Sequence, residues 1–120
     1  MIFVFRLIIA GGRDFNDYET LKNYVDFKLS RTEDEIQIIS GGARGADTLG
    51  ERYAVERGFF LRRFPADWER YGKSAGVRRN REMARNADAL IAYWNGYSRG
   101  TKNMIEEARA AGIIVCIRNY

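Results

Sequence analysis

Ser40-Gly41-Gly42-Ala43-Arg44-Gly45-Ala46-Asp47 joins two runs of unlike period, and its reading decides the fold. Before it, Ile36 to Ser40 is a short apolar run of the kind that forms a strand. After it, Ala46, Leu49, Tyr53 and Ala54 fall on one helical face, and Gly58 supplies the stop. A strand, a glycine-rich turn and a helix make one unit, and the same unit recurs on either side. Upstream, Phe3 to Ala10 reads as a strand covered on both faces and runs into Gly11-Gly12-Arg13-Asp14. Asn16 and Glu19 then resemble a capping box, followed by Leu21, Tyr24, Val25 and Leu29 at helical spacing. Downstream, Phe59 to Phe64 is a third strand closed by Pro65, with a polar, aromatic loop over residues 66–73. Ser74 to Ala87 is a third helix and Asp88 to Trp94 a fourth strand. The loop Asn95 to Gly100 leads to a helix over Thr101 to Ala111, capped by Gly112, and Ile113 to Ile117 is the fifth strand. Alternating strands and helices with short connections predict a Rossmann-like three-layer α/β/α sandwich around a parallel sheet of about five strands. Arg6 interrupts the first strand, which suits a strand end or a ligand contact.

Composition narrows the class. A chain of 120 residues is the size of one domain, so residues 1–120 are read as a single unit. The apolar share of 46% is that of a globular protein. There is no histidine and one cysteine, which rules out an internal disulfide and the usual zinc constellations. Cys116, in the apolar stretch Ile113 to Ile117, is expected to be a buried structural thiol, and the setting a reducing cytoplasm. Met1 to Ala10 is apolar but lacks a basic lead and a cleavage site, so it reads as a strand rather than a signal peptide. No stretch approaches the roughly 20 apolar residues that span a bilayer, so no membrane partner is expected. The net charge of +4 suits an anionic ligand and is too small to argue for nucleic acid alone.

In a sheet of this kind ligands bind beyond the carboxyl ends of the strands, where strand order reverses. Three strands end there in glycine-containing loops: Gly11 to Asp14, Ser40 to Asp47, and Gly96 to Thr101. Glycine lets backbone approach a ligand closely, and free N–H groups at a helix start bind anions. The second loop lacks the Lys-Ser/Thr ending of a P-loop, and nothing matches G-x-G-x-x-G after the first strand. A conventional ATPase or nicotinamide-dependent dehydrogenase is therefore disfavoured. Arg13, Arg44, Arg79, Arg99 and Lys102 lie in or beside the loops or on the third helix; Arg78, Arg81 and Arg85 fit a solvated stripe. A helix terminus offers an anion about 0.3–1 kcal/mol and a charge-assisted hydrogen bond about 1.5–3, against about 8 for micromolar binding. Stacking on a base or sugar should make up the difference, and Trp68, Trp94 and Tyr97 are placed to supply it.

Five motifs occur in order: Gly11-Gly12-Arg13-Asp14-Phe15; Ser40 to Asp47; Phe64-Pro65-Ala66-Asp67-Trp68; Arg79-Asn80-Arg81-Glu82-Met83; and Ser98-Arg99-Gly100-Thr101-Lys102-Asn103-Met104. Together they resemble the YspA/cpYpsA-related branch of the SLOG superfamily, a set of Rossmann-like domains, along nearly the whole chain. The resemblance implies binding of nucleotides or nucleotide-derived ligands, often in signalling, stress or phage–host conflict, and so fits a phage or mobile-element protein. Distant members include the lonely-guy phosphoribohydrolases and the single-strand-DNA-binding protein DprA. Against the hydrolase pattern, Arg79 and Met83 match one element with Asn80 in place of a lysine, and Gly100 and Thr101 match another. Met104 stands where that pattern has its catalytic glutamate, and Glu106 and Glu107 lie further along the helix. A thioether cannot stabilise an oxocarbenium charge or activate water, so inherited hydrolase chemistry is not expected.

The expected site therefore holds phosphate on Gly41 to Gly45 and near Ser98 to Thr101, with Arg79 pairing its charge and an aromatic ring stacking on the base. Asn80 and Lys102 join this set through the motifs. Asp14 suits ribose hydroxyls, a Mg²⁺ accompanying a nucleotide, or an Asx-turn toward Asn16. Asp47 suits either the ligand or its own helix's first turn. Asp67, beside Trp68, is a third carboxylate for ligand contact. Spacing shows no metal cluster. The leading expectation is a sensor or sequestering module for a small nucleotide-derived molecule. The alternatives are a hydrolase of a glycosidic or phosphate bond using Asp14, Asp47 or Asp67, and DprA-like binding of single-stranded DNA. Related domains pair through helices flanking the pocket, so a homodimer is compatible with the resemblance.

Overall fold

In a computed structural model of the chain, residues 2–120 are described, and Met1, the first residue of the expected apolar run, lies outside them. The strands are β1 (Val4–Gly11), β2 (Glu35–Ser40), β3 (Phe60–Arg63), β4 (Ala89–Trp94) and β5 (Ile114–Asn119). The helices are α1 (Tyr18–Leu29), α2 (Ala46–Arg57), the one-turn α3 (Trp68–Tyr71), α4 (Ala75–Arg85) and α5 (Arg99–Ala110). All strand pairings are parallel, in the order β3-β2-β1-β4-β5. The architecture is the expected Rossmann-like one, and order reverses at β1, whose chain neighbour β2 and sheet neighbour β4 lie on opposite sides.

The strands sort their side chains by the two-residue period of a pleated sheet. Leu7, Ile9, Ile38, Ile91 and Tyr93 face one side and pack with Tyr18, Leu21 and Val25 of α1 and Tyr53 and Ala54 of α2. Ile8, Ala10, Ile39, Leu90 and Ala92 face the other side, against Met83 and Ala84 of α4 and Met104, Ile105 and Ala108 of α5. Two apolar cores thus sandwich the sheet, which explains why the central strands read as continuous apolar runs.

Helix α2 approaches β1 closely because residue 50 has no side chain. A Cβ there would meet Cβ and Cγ2 of Ile9 at 2.8 Å. Gly50→Ala is therefore expected to destabilise the fold by about 1–3 kcal/mol, even though alanine is the better helix former by about 1. A urea midpoint equal to or above that of the parent would contradict this.

Four local expectations are corrected. Asp17, not Asn16, caps α1: its carboxylate accepts the Thr20 amide at 3.2 Å and the Thr20 hydroxyl at 2.6 Å. Both partners lie three residues on, the reach a short carboxylate has at a helix start. Residues 66–73 are not a plain loop, because Asp67 caps α3 by accepting the Arg70 amide at 3.1 Å and a 3₁₀ turn (Gly72–Ser74) leads into α4. Arg6 is no ligand contact: its Nε and Nη2 donate to Asp88 at 3.2 Å each, and its backbone N–H donates to the same carboxylate at 2.8 Å. That pairing ties the middle of β1 to the start of β4. Cys116 is half-buried rather than buried: it packs on the α1-side core, but β5 is an edge strand with a neighbour on one side only.

Candidate functional site

Where strand order reverses, the loops after β1 and β4 part, and a cleft of about 300 Å³ opens between them. Gly11 and Arg13 line it from the first loop, Ala43 and Asp47 from the second, and Ser98, Arg99, Gly100 and Thr101 from the last. Trp68, Lys73, Arg79 and Asn80 close the α3–α4 side, and Met83 and Met104 form the apolar floor.

The first two loops touch through glycine. Gly45 precedes α2 at φ 79°, and a Cβ on it would lie 2.2 Å from the Gly12 carbonyl oxygen. That carbonyl accepts the amides of both Phe15, at 3.3 Å, and Ala46, at 3.2 Å, so one oxygen stitches the first loop to the start of α2. Within the second loop, the Ser40 hydroxyl donates to Glu51 at 2.7 Å and accepts the Gly42 amide at 3.0 Å. Glu51 in turn accepts from Arg63 Nε at 2.9 Å, so the loop is anchored to α2 and β3 together. The Ala43 amide donates to Asp47 Oδ2 at 3.2 Å.

These bonds change the expected anion cradle. The amides of Gly42 and Ala43 are taken by the loop's own side chains and are not free for phosphate. At the last loop, Ser98 caps α5 by accepting the Thr101 amide at 3.3 Å, and Asn95 accepts the amides of Tyr97 and Ser98 at 2.8 and 2.9 Å. The N–H groups of Arg99 and Gly100, in the first turn of α5, have no partner among the described residues. The α5 terminus and the cationic side chains thus remain among the donors open to an anion.

Arg79 is fixed at the cleft wall. Its Nη1 donates to the Gly41 carbonyl at 2.6 Å and its Nε to Asn80 Oδ1 at 2.9 Å, and Asn80 donates to Asn103 Oδ1 at 2.9 Å. Facing it is Asp47, only 5% exposed. Burial pushes the Asp47 carboxyl up to about 6, against the downward pull of the Ala43 amide, the Arg79 charge and the Gly11 amide. Four cations, Arg13, Lys73, Arg79 and Arg99, line the cleft against the single carboxylate of Asp47. A second groove of about 450 Å³ adjoins it; Arg13, Ala43, Trp68 and Arg79 belong to both, and Gly41, Gly42 and Arg63 extend it.

Of the residues singled out from sequence, the first cleft gathers Gly11, Arg13, Ala43, Asp47, Trp68, Arg79, Asn80, Ser98, Arg99, Gly100 and Thr101, and the groove adds Gly41 and Gly42. The others stand elsewhere. Gly12, Ser40 and Gly45 shape the loops from within. Asp14 accepts the Tyr120 hydroxyl and faces a different cleft, so it is not available to a Mg²⁺ in this one. Asp67 caps α3, and Trp94 donates its indole N–H to the Ser98 carbonyl at 3.1 Å while packing on the α5-side core. Arg44, Tyr97 and Lys102 are exposed and line neither space. Glu107 pairs with Arg81 at 3.1 Å, Glu106 is exposed, and Met104 is buried on the floor, so neither Glu106 nor Glu107 takes the place of the missing glutamate. Lys73 and Asn103 went unread: Lys73 reaches the cleft only because of the 3₁₀ turn, and Asn103 carries no signal beyond its place in the last motif. No group of three or more acidic, cysteine or histidine residues that could hold a metal occurs among the described residues. Nor is any described helix long and apolar enough to cross a membrane.

The model of the "YspA, cpYpsA-related SLOG family" matches residues 5–71. The chain is 40% identical over 116 residues to the "Gene 61 protein" of Mycobacterium phage D29, covering 92% of this chain and 93% of that protein. Among solved structures it superposes on DNA processing protein A (DprA) from Streptococcus pneumoniae with a TM-score of 0.71 and 19% identity, over 96% of this chain and 50% of that one. It also superposes on the protein TM1055, with a TM-score of 0.63 and 21% identity, over 96% of this chain and 72% of that one. The chain thus spans half the length of DprA, and both likenesses are of fold.

Proposed function

The chain belongs to the YspA, cpYpsA-related SLOG family, and from that premise we propose that it binds a small nucleotide-derived phosphate ligand in the cleft at the β1–β4 switch point, as a sensor or sequestering module. The observation that carries this reading is the lining of that cleft by Arg13, Lys73, Arg79 and Arg99 against one carboxylate. Phosphate would sit at the α5 terminus, on the N–H groups of Arg99 and Gly100, where the helix dipole and charge-assisted bonds act together. Arg79, already fixed by Gly41 and Asn80, would pair with its charge. Trp68, 55% exposed at the rim, would stack on the base. A Mg²⁺ arriving with such a ligand would meet Asp47 alone.

Calorimetric titration with nucleoside monophosphates and ADP-ribose tests the placement. Arg79→Ala is expected to weaken whichever of these binds by at least about tenfold while the circular dichroism spectrum is unchanged. Equal affinity in parent and variant would refute it.

Asp47 favours a second reading, hydrolysis of a bond in the same ligand. A buried carboxyl raised to about 6 inside a cationic cleft is of the kind that acts as acid or base near neutrality. Released base or phosphate on incubation with the same compounds, abolished in Asp47→Asn, would favour it. The adjoining groove, carrying Arg63 beyond the shared Arg13 and Arg79, supports binding of single-stranded DNA as a further alternative. A steep fall of affinity for oligonucleotides with salt would mark that mode.

A further inference from the structure

The walls of the switch-point cleft are not held alike. The first two loops share the Gly12 carbonyl, the second is tied through Glu51 to Arg63, and Asn95 holds the last. The remaining wall, residues 65–74, has no such tie. Phe64 and Ala75, 5% and 1% exposed, anchor its two ends, and no residue between them is buried. Its helix α3 packs chiefly on the 3₁₀ turn and α4 rather than on the sheet. We propose, on the binding function inferred above, that residues 65–74 are a lid that folds over the cleft once ligand is bound, laying Trp68 on its ring and bringing Lys73 to its phosphate.

The segment is bonded to itself. Asp67 accepts the Arg70 amide on its carboxylate at 3.1 Å and the Tyr71 amide on its carbonyl at 3.0 Å. The Trp68 carbonyl accepts the Gly72 amide, and the Ser74 hydroxyl donates to the Tyr71 carbonyl at 3.0 Å. Among the described residues, every hydrogen bond of residues 65–73 stays within 65–75, and no ion pair includes Asp67, Glu69, Arg70 or Lys73. What seats the segment is contact with α4. The Arg78 guanidinium lies over the Tyr71 ring at 4.3 Å and donates from Nε to the Ser74 hydroxyl at 3.1 Å, and the Trp68 ring rests near Gly76. A unit that keeps its own bonds and sits on a few exposed contacts can swing without unfolding, as the low-stability segments that serve as lids do. Closure would satisfy what the open position leaves bare. Trp68 is 55% exposed at the rim, and Lys73 lines the cleft with no carboxylate partner among the described residues. A ligand ring would give Trp68 a face to bury, and a phosphate would give Lys73 a counter-ion in a drier setting.

Amide hydrogen exchange of the whole chain, followed in proton–nitrogen spectra with AMP and ADP-ribose as probes, tests the lid. In the free protein the bonded amides of Arg70, Tyr71 and Gly72 are expected to exchange faster than those of Gly42, Ala43 and Ser98, which the anchored loops hold. A saturating probe is expected to slow Arg70, Tyr71 and Gly72 by about tenfold or more, although none of the three lines the cleft. A fixed wall would leave them unchanged. Trp68→Ala and Lys73→Ala, both at exposed positions, should remove most of that slowing at saturation, with the circular dichroism spectrum unaltered. Calorimetric binding of either probe without slowing of these three amides overturns the lid and leaves the binding function standing. The lid is equally overturned if the three amides of the free protein exchange no faster than the anchored ones, or if both variants slow as the parent does. If neither probe binds, the binding function fails and the lid falls with it.

Discussion

Gly45→Ala is expected to lower the stability of the fold by about 3 kcal/mol or more, through backbone strain and clash together. At φ 79° and ψ −127° residue 45 occupies a region that a side chain strongly disfavours. Its Cβ would also meet the Gly12 carbonyl oxygen at 2.2 Å and the Arg13 Cα at 2.7 Å. Both obstacles are backbone, so no rotamer change relieves them. Separating the loops would forfeit the bond from the Ala46 amide to Gly12 and displace Arg13 from the cleft. Denaturant unfolding at neutral pH reads the loss directly, and a midpoint within error of the parent would refute the contact.

Asp47→Asn should act in the opposite direction, and its effect should depend on pH. Burial raises the Asp47 carboxyl from the ordinary 3.8 to about 6, so the folded state holds this proton more tightly than the unfolded chain does. Its contribution to stability is therefore fully present below about pH 4 and is lost as pH rises through about 6. A shift of about two units corresponds to about 3 kcal/mol at its limit. Asparagine has no charge to bury and keeps an oxygen for the Ala43 amide, but it gives up the attraction to Arg79. The net expectation is a gain of about 1–3 kcal/mol at pH 8 that vanishes near pH 4. Denaturant midpoints at the two pH values check it. An equal difference at both would assign the change to packing rather than to charge.

The layered fold was legible because β1, β2 and β4 are apolar on both faces and each is followed by a glycine turn and a helical period. The convergence of the three loops was legible for the same reason, since a parallel sheet delivers every strand end to one edge. What sequence could not show was how the loops spend their own polar groups. Asp47 looked like a ligand or a first-turn charge, but it accepts Ala43's amide four residues back, a bond set by loop geometry. Trp94 looked like a stacking ring, yet its indole N–H is committed to Ser98. Asp14 follows a glycine loop as Asp47 does, but β1 and its turn direct it to the other face, beside Tyr120. Lys73 sat in a stretch read as irregular and reaches the cleft only through the turn before α4.

The chain of bonds from Arg63 through Glu51 to Ser40 and Gly42 has an entropic consequence. A glycine-rich segment ordinarily surrenders much backbone freedom when it closes on a guest, a penalty subtracted from affinity. Here that freedom is already given up during folding, so the segment is preorganised and an arriving molecule has chiefly its own motion to lose.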